Sequence, residues 1–408
     1  MASDNAARMS GCPMADWDPV GPEAVADPHP VHAELRAHCP VPYSDRWGGF
    51  YTLTRYEDVV RASRDSDTFT ATRQTVIPAS PRKGLPRLPL QKDPPEHGHY
   101  RRGLNPWFKD SKMRLLEPRI EQLAGDIYAT LLRDGEVDFS TGFAAPFTQA
   151  SLCMLVGLDL SEAKELGDLS HAYVAAVQAE EMDRAGGISR QIDQFAIDLV
   201  ADRRAAPRDP ETDMPTGLLQ AVDDGRPYSD EEVAGIIRLL LIGGHVVPKN
   251  FLCSAVWHLA RDQALQQRLR DEPGLMRGAI EEFLRIYSSN QALVRVTTRP
   301  VSIGGRDIPA ESPVALLFLS ANRDEAVFDR PDTFDPERKP NRHLAFGIGT
   351  HACIGQALAR MQARVTLEQL LARTRSFSVA GEPKWARWTE YGIAELKIAV
   401  SLDPEAAR

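Results

Sequence analysis

The chain has 408 residues, 43% of them hydrophobic and 26% charged, so it is long enough to bury a large core. Its formal net charge of −9 argues against nucleic acid as a partner. The five cysteines are odd in number and widely separated, which suggests neither a disulfide framework nor a zinc site and indicates a reducing compartment.

The start of the chain has no pattern typical of a targeting signal. Residues 1–13 lack the basic head and apolar core of a signal peptide, and no stretch reaches the roughly eighteen uncharged apolar residues of a membrane span. We therefore expect a soluble, cytoplasmic, monomeric protein that does not bind membranes. Because there is no long Gly/Ser tract, charge block or repeat, we predict one domain over residues 1–408, with 1–27 as a poorly ordered N-terminal segment.

The hydrophobic pattern, taken in chain order, predicts a mainly α fold with small β-sheets. Short strands are predicted near residues 49–54, 293–301, 313–317 and 396–400. Helical periodicity is clearest over residues 113–133, 231–261 and 273–287. The tract 78–95 contains six prolines, which excludes a regular helix or a central strand and predicts a loop.

Cys353 lies in a glycine-rich segment, 346–355, directly before a helical run that starts at Gln356. The free N–H groups and positive end of that helix stabilise an anion, so we expect the position to favour the thiolate. The neighbouring glycines lack a Cβ and allow a flat ligand to approach the sulfur. A thiolate under an open face is the ligand that haem iron uses when an O–O bond is cleaved. The alternative is a buried, inert cysteine beside a glycine turn.

The segment resembles the haem-binding signature of the cytochromes P450. The matching residues are Phe346, Gly347, Gly349, His351, Cys353 and Gly355. The resemblance extends from about residue 28 to about residue 400. It implies the family's triangular, mostly helical prism, haem b held through Cys353, and a monooxygenase that uses dioxygen.

Four further side chains are candidates for holding the haem propionates. Residues 93–101 resemble the third-helix signature of the family, in which His97 and Arg101 lie one turn apart on the same side. With Arg295 and His351 they provide four donors for two carboxylates, the charge-assisted pairing that partly buried carboxylates need. Taken singly, each is more typical of an ordinary surface charge.

A structural network is also implied. Glu282 and Arg285 are three residues apart and can pair on one helix face, which on a surface contributes only about 0.3–0.5 kcal/mol. Arg338 resembles the third member of the family's buried Glu-Arg-Arg network, which holds the segment before the cysteine loop.

Residues 243–248 depart from the family pattern. They read Gly-Gly-His-Val-Val-Pro, where the distal helix of the family usually has Ala-Gly-X-Asp/Glu-Thr-Thr. The acid and alcohol of that pattern organise the water that supplies protons for oxygen activation. Val246 replaces the acid and Val247 the alcohol, and valine has the shape of threonine without its hydroxyl. Pro248 lacks an N–H and frees the carbonyl of Gly244, which can then hold a water or a substrate hydroxyl.

The candidate catalytic set is Gly243, Gly244, His245, Val246 and Val247. His245 is either an acid that replaces the missing pair or a packed histidine. The missing pair leaves three reactions open. The first is dioxygen-dependent monooxygenation with protons from the substrate or an anchored water. The second is use of peroxide, or an oxidative coupling or rearrangement. The third, a haem-based sensor, is disfavoured because there is no output domain.

The resemblance also implies a pocket for a small organic substrate. Its candidate wall residues are Thr75, Val76, Ile77, Leu240, Gly243, Val247, Gln291, Ala292, Leu293 and Ile393. The proline-rich loop is basic through Arg73, Arg82, Lys83 and Arg87, which is either a solvated charged loop or an attraction for a carboxylate-bearing substrate. Electrons are expected from a separate ferredoxin or flavodoxin and its NAD(P)H reductase. Their expected docking patch on the cysteine face contains Arg102, Lys109, Lys112, Arg360 and Arg364.

Overall fold

The computed structural model describes residues 17–79 and 84–402. Within these ranges most of the chain is helical. The helices are α1 Pro22–Ala26, α2 Pro28–His38, α3 Tyr56–Arg64, α4 Glu96–Leu104, α5 Asp110–Leu131, α6 Ala145–Val156, α7 Leu160–Gln178, α8 Met182–Ala205, α9 Met214–Gln220, α10 Asp230–Gly243, α11 Val246–Arg261, α12 Gln263–Asp271, α13 Met276–Ile286, α14 Phe318–Ala321 and α15 Gln356–Arg373.

The strands are short and gather into small sheets, so the predicted mainly α fold with small β-sheets is confirmed. They are β1 Tyr43–Ser44, β2 Phe50–Leu53, β3 Phe69–Thr70, β4 Gly135–Asp138, β5 Val222–Asp223, β6 Arg226–Pro227, β7 Ala292–Thr297, β8 Val301–Ile303, β9 Arg306–Ile308, β10 Pro313–Leu317, β11 Thr374–Val379, β12 Lys384–Trp385, β13 Ile393–Glu395 and β14 Lys397–Leu402.

The largest sheet has the order β1-β2-β10-β7-β3. Strands β2 and β10 are parallel, and the other neighbours in this sheet are antiparallel. A second sheet has the order β11-β14-β4. Three of the four predicted strands correspond to β2, β10 and β14, whereas the stretch 293–301 is divided between β7 and β8.

The centre of the molecule is the pair α10 and α11. Helix α10 begins with a capping box, in which Ser229 and Glu232 each accept a hydrogen bond from the other's backbone N–H. The predicted helix 231–261 is interrupted at residues 244–245. The stretch Asp230–Arg261 is apolar and long enough to cross a membrane, but 61% of its apolar window is buried, as in a core helix.

The proline-rich tract is a loop where the structure describes it. Residues 84–95 contain only turns and bends, and α4 begins directly after them at Glu96. The predicted helix 273–287 begins with a 3₁₀ turn, Pro273–Leu275, before α13.

The expectation that residues 1–27 are poorly ordered can be compared with the structure only from residue 17 onward, because residues 1–16 lie outside the described part of the chain. Trp17 is packed, 3% exposed, with its indole N–H donated to Thr52 at 3.2 Å. Helix α1, by contrast, has no buried residue.

Candidate functional site

Cys353 lies at the end of a tight loop that leads into α15. Its N–H donates to the carbonyl of Phe346 at 2.8 Å, and the N–H of Gly347 donates to Leu344 at 2.8 Å. Gly347 and Gly349 have φ values of 64° and 77°, which L-residues with a Cβ rarely adopt.

Cys353 is exposed, yet burial is the largest influence on its thiol and raises its pKa. A residue that is accessible although protein surrounds it borders an internal space, which we call the hollow. Hydrogen bonds from the N–H groups of Gly355 and Gln356, and the nearby charges of Arg101 and Arg360, lower the pKa by less. The N–H groups at the start of α15 therefore act in the expected direction, but burial outweighs them in the protein alone.

The space beside this loop fits a flat group. A Cβ added at Gly355 would meet only the Sγ of Cys353, at 3.8 Å, and one added at Gly347 only the carbonyl oxygen of His351, at 4.0 Å. At Gly243, near the end of α10, an added Cβ would meet nothing within 4 Å in the described part of the chain. Gly349 differs, because a Cβ there would lie 2.8 Å from the carbonyl oxygen of Ser63.

The four proposed propionate donors, two arginines and two histidines, lie together and are largely desolvated. The rings of His97 and His351 lie 4.6 Å apart between centroids, and burial lowers the pKa of His97 to about 4. Arg295 is 4% exposed, and burial lowers its pKa to about 10. Burial also lowers the pKa of the half-buried Arg101.

One carboxylate lies close to this group. The Nε2 of His351 is 3.7 Å from Oδ1 of Asp93 and makes no hydrogen bond. Asp93 is itself held by the hydroxyl of Thr70 and the N–H of Ala71. A single carboxylate leaves desolvated positive charge and an unpaired ring nitrogen, which two propionates would satisfy. The residues present therefore fit haem.

The structural network behind the loop is centred on Glu282, whose side chain is 0% exposed. Arg285 donates to it at 2.8 and 2.7 Å, and Arg338 donates at 3.0 and 3.2 Å. Asn341 and the N–H of Asp335 add bonds of 3.1 Å each. All three sequence candidates, Glu282, Arg285 and Arg338, are brought together.

Sequence reasoning missed an adjacent ion pair. Glu281 accepts hydrogen bonds from Arg360 at 2.6 and 2.9 Å and contacts Nε2 of His343 at 3.0 Å. The guanidinium of Arg360 lies over the ring of Phe346, 4.7 Å from its centroid. The sequence signal for this ion pair was the two consecutive glutamates 281 and 282. Adjacent residues on a helix face different neighbours, so the second acid needs a partner of its own.

The break between α10 and α11 lies beside the open space at Gly243. Pro248 has no N–H, and the N–H of Lys249 donates to the carbonyl of His245 at 3.1 Å, so the helix provides no i+4 donor for the carbonyl of Gly244. Gly244 is needed for packing, because an added Cβ would lie 2.9 Å from the side chain of Leu152.

His245 is a packed histidine. It is 3% exposed, with Nδ1 3.3 Å from the hydroxyl of Thr148 on α6, and it lies against Gly167 on α7. Burial lowers its pKa to about 3, so the ring is neutral at neutral pH, which favours the packed histidine over the catalytic acid. Val246 is buried, 4% exposed, whereas Val247, in the first turn of α11, is half-buried.

The candidate pocket-wall residues divide into two groups. Those with accessible side chains are Val76, Leu240, Val247 and Leu293, and Gly243 is exposed. Those that are packed inside the protein are Thr75, Ile77, Ala292 and Ile393, each 2% exposed or less. Gln291 lines a different cavity, discussed below. Accessible surface therefore supports the pocket-wall assignment for the first group, and for these last five residues the assignment stays a prediction.

Sequence reasoning also missed the buried carboxyl group of Glu390, which contacts α11. Burial raises the pKa of Glu390 to about 7, against the opposing influence of Lys249 and Asn250. The amide of Asn250 donates to Oε2 of Glu390 at 2.8 Å. Lys249 donates to the carbonyl of Ala394 at 2.8 Å.

The basic residues expected on the cysteine face are largely paired within the chain. Arg102 binds Asp223 at 2.7 and 2.8 Å, and Arg360 binds Glu281. Arg364 pairs with three acids, which are Glu117, Glu121 and Glu368. The proline-rich loop shows the same pattern, since Arg73 pairs with Glu311 and Arg87 contacts Tyr173. Arg82 and Lys83 lie outside the described residues.

Comparisons with known proteins bear on this site. A family model described as Cytochrome P450 matches residues 47–386. Cytochrome P450 107B1 of Saccharopolyspora erythraea is 34% identical over 352 residues, covering 83% of this chain and 85% of that protein. The vitamin D(3) 25-hydroxylase of Pseudonocardia autotrophica is 32% identical over 361 residues, covering 87% of this chain and 88% of that protein.

Solved structures agree over nearly the whole chain. A structure from Chondromyces apiculatus has a TM-score of 0.86 and 29% identity, covering 96% of this chain and 99% of that one. A mutant of P450 EryK in complex with erythromycin B has a TM-score of 0.82 and 30% identity, covering 92% of this chain and 96% of that one.

Proposed function

Because the chain belongs to the cytochrome P450 family, and is accordingly a monooxygenase that carries haem b, we propose that Cys353 is its thiolate ligand and that it oxidises a small, largely apolar organic substrate. The observation that carries this proposal is the desolvated sulfur of Cys353, which faces an internal hollow. His97, Arg101, Arg295 and His351 hold the propionates on the side of the hollow where positive charge is concentrated.

The haem, when bound, supplies the activation of dioxygen. The protein supplies the rest of the site. The glycines around Cys353 leave room for a flat group, and two arginines and two histidines would fix its carboxylates. We assign the other side of that group to Gly243 and Val247, whose apolar surface would help to exclude bulk water.

The substrate class is inferred from the accessible wall residues. Val76, Leu240, Val247 and Leu293 present apolar surface, which suits an apolar substrate with few polar anchors. Relatives are named as a vitamin D(3) 25-hydroxylase and a beta-dihydromenaquinone-9 omega-hydroxylase, and both names describe oxidation of apolar compounds. The ion pair of Arg73 with Glu311 reduces the support for a carboxylate-bearing substrate.

The electron donor is a separate ferredoxin or flavodoxin with its NAD(P)H reductase, and we place the reaction in the cytoplasm. Within the docking patch, Lys109 is exposed and remains a candidate contact for such a partner.

Proton delivery differs from that of the family pattern. Val246 and Val247 provide no acid or hydroxyl, and His245 is neutral and packed. The proton donor is then a hydroxyl of the substrate or a water held by the carbonyl of Gly244, which the proline leaves without a helix partner. The second candidate is peroxide as the oxidant. The lack of an acid and a hydroxyl at Val246 and Val247 favours it, because peroxide brings both oxygen and protons.

Coupling measurements with a redox partner test this proposal. The product formed per NADH consumed should be low for substrates without a hydroxyl, and Val247→Thr should raise it for those substrates. Val246→Thr is the matched control, since it makes the same change on a side chain that is buried. Tight coupling of the native protein with every substrate, unchanged in Val247→Thr, would show that the loss of the pair has no catalytic meaning. Product formation from added peroxide without NADH would support the second candidate.

A further inference from the structure

A second cavity lies between the N-terminal segment, α11, α13 and the strand β12. Its volume is about 410 Å³, within the range of about 300–1,000 Å³ that is usual for small-molecule sites. Its lining contains neither Cys353 nor any residue of 243–248. The cavity is therefore separate from the hollow beside the cysteine.

Aromatic side chains form its walls. Trp257 and Trp385 meet edge to face, with ring centroids 5.3 Å apart and planes at 79°. Trp385 also contacts Tyr391 at 5.3 Å and 36°, and Trp257 contacts Tyr287 at 6.3 Å and 83°. Such walls favour a planar aromatic molecule, because its edges and faces can match these rings.

The mouth of the cavity exposes apolar surface. Trp385 is 39% exposed and Val25 is 51% exposed, and both line the cavity. Large apolar side chains that gather at one opening are typical of a surface that binds a ligand.

Two buried polar atoms in the lining lack hydrogen-bond partners within residues 17–79 and 84–402. Arg323 is 8% exposed and pairs with Asp332 through Nη1 at 2.5 Å, while its Nε makes no hydrogen bond. His29 is bonded through Nε2 to the hydroxyl of Tyr391 at 2.8 Å, while its Nδ1 makes none. Buried donors without partners are rare and mark places where a ligand or water binds.

The charge of the lining favours an anion. Its charged residues are Asp27, Arg261, Arg323, Asp332 and Arg387, which gives an excess of one positive charge. The histidines in the lining do not change this excess positive charge, because burial lowers the pKa of His29 and of His258 and keeps both neutral. A single carboxylate would balance this excess and accept a hydrogen bond from Arg323.

We propose that this cavity is a binding site for a small planar aromatic carboxylate, with its ring against Trp385 and Trp257 and its carboxylate on the guanidinium of Arg323. The site goes beyond the proposed oxidation and does not depend on it. It takes a ligand at a distance from the reacting substrate.

The experiment titrates the haem-loaded enzyme with 2-naphthoate by calorimetry while the Soret band is monitored. We expect saturable binding without a Soret shift, because the ligand does not enter the hollow beside Cys353. The neutral amide, 2-naphthamide, should bind about tenfold more weakly or worse, since it lacks the charge that Arg323 recognises.

Two variants assign the site. Arg323→Gln and Trp385→Ala should each weaken 2-naphthoate binding about tenfold or more. Their matched controls are Arg330→Gln and Leu115→Ala, at exposed positions outside the lining, which should leave binding unchanged. Trp385 is partly exposed, so Trp385→Ala remains informative even where Arg323→Gln disturbs folding.

Three results would overturn the assignment. One is the absence of saturable binding by the native enzyme. Another is equal affinity in Trp385→Ala and Leu115→Ala. The third is binding that shifts the Soret band and disappears in Leu240→Trp, which would place the ligand in the catalytic hollow.

Discussion

Replacing Glu390 with glutamine should stabilise the protein, and the gain should grow with pH. Burial raises the pKa of this carboxyl from 4.5 to about 7, so the folded state holds a proton that the unfolded chain has released between these values. The stability of the native protein therefore falls as the pH rises through this window. Glutamine is neutral at every pH and can still accept the hydrogen bond of Asn250.

The magnitude follows from the size of the shift. A difference of one pKa unit corresponds to about 1.4 kcal/mol. Compared with a neutral side chain, the raised pKa of Glu390 therefore lowers the free energy of unfolding by about 1 kcal/mol at about pH 5 and by about 3 kcal/mol at about pH 8. The gain of Glu390→Gln should thus increase by about 2 kcal/mol between these two conditions. Comparing the two pH values removes any cost of the substitution that does not depend on pH.

Urea unfolding followed by circular dichroism at both pH values measures this difference. Glu395→Gln is the matched control, because Glu395 belongs to an exposed pair with Lys384 at 2.8 Å and should change stability by about 1 kcal/mol or less. If the native protein and Glu390→Gln had the same pH dependence, Glu390 would not be protonated in the folded state and the reasoning would fail.

Three further predictions concern the haem site. Cys353→Ala should abolish the red-shifted Soret band of the ferrous carbonyl complex, and a native band at the position of imidazole-ligated haem would refute the thiolate assignment. Arg101→Ala and His351→Ala should each speed haem transfer to apomyoglobin about tenfold or more, since a charged hydrogen bond contributes about 1.5–3 kcal/mol; unchanged rates in both would exclude the propionate role. Glu282→Ala should cost about 3–5 kcal/mol in urea unfolding because it leaves Arg285 buried without its partner, whereas a loss below about 1 kcal/mol would contradict the geometry.

Features encoded by local sequence could be predicted. The glycine loop before Cys353 and the proline-rich tract depend on backbone restrictions of the residues themselves. The pairing of Glu282 with Arg285 follows from their spacing on one helix. These features need no knowledge of distant parts of the chain.

Features that depend on packing against distant parts of the chain could not be predicted from the sequence. The burial of His245 arises because Thr148 and Gly167, on two other helices, enclose its ring. The break at residues 244–245 in the predicted helix 231–261 agrees with the effect expected of Pro248 on the carbonyl of Gly244. Ala292 is buried whereas its neighbour Leu293 in β7 is accessible, and the register of the sheet decides which face of the strand is covered, which sequence periodicity does not determine at this precision.

The free positive charge on the cysteine face was overestimated from the sequence for the same reason. A count of lysines and arginines shows which residues can attract an acidic partner, but not which acids already bind them. The pairing of Arg102 with Asp223, and of Arg364 with its three acids, was visible only in the folded structure.

These pairings have a consequence for how electrons reach the haem. We expect the paired arginines to contribute little to the potential that extends from the cysteine face into solvent, because the field of an ion pair decays faster than that of a free charge. For the small acidic electron carrier proposed above, we then expect ordinary diffusion to govern the encounter, with little effect of ionic strength on its rate. The lifetime of the encounter should depend instead on short-range contact, so we expect different carriers to substitute for one another when their surfaces match in shape.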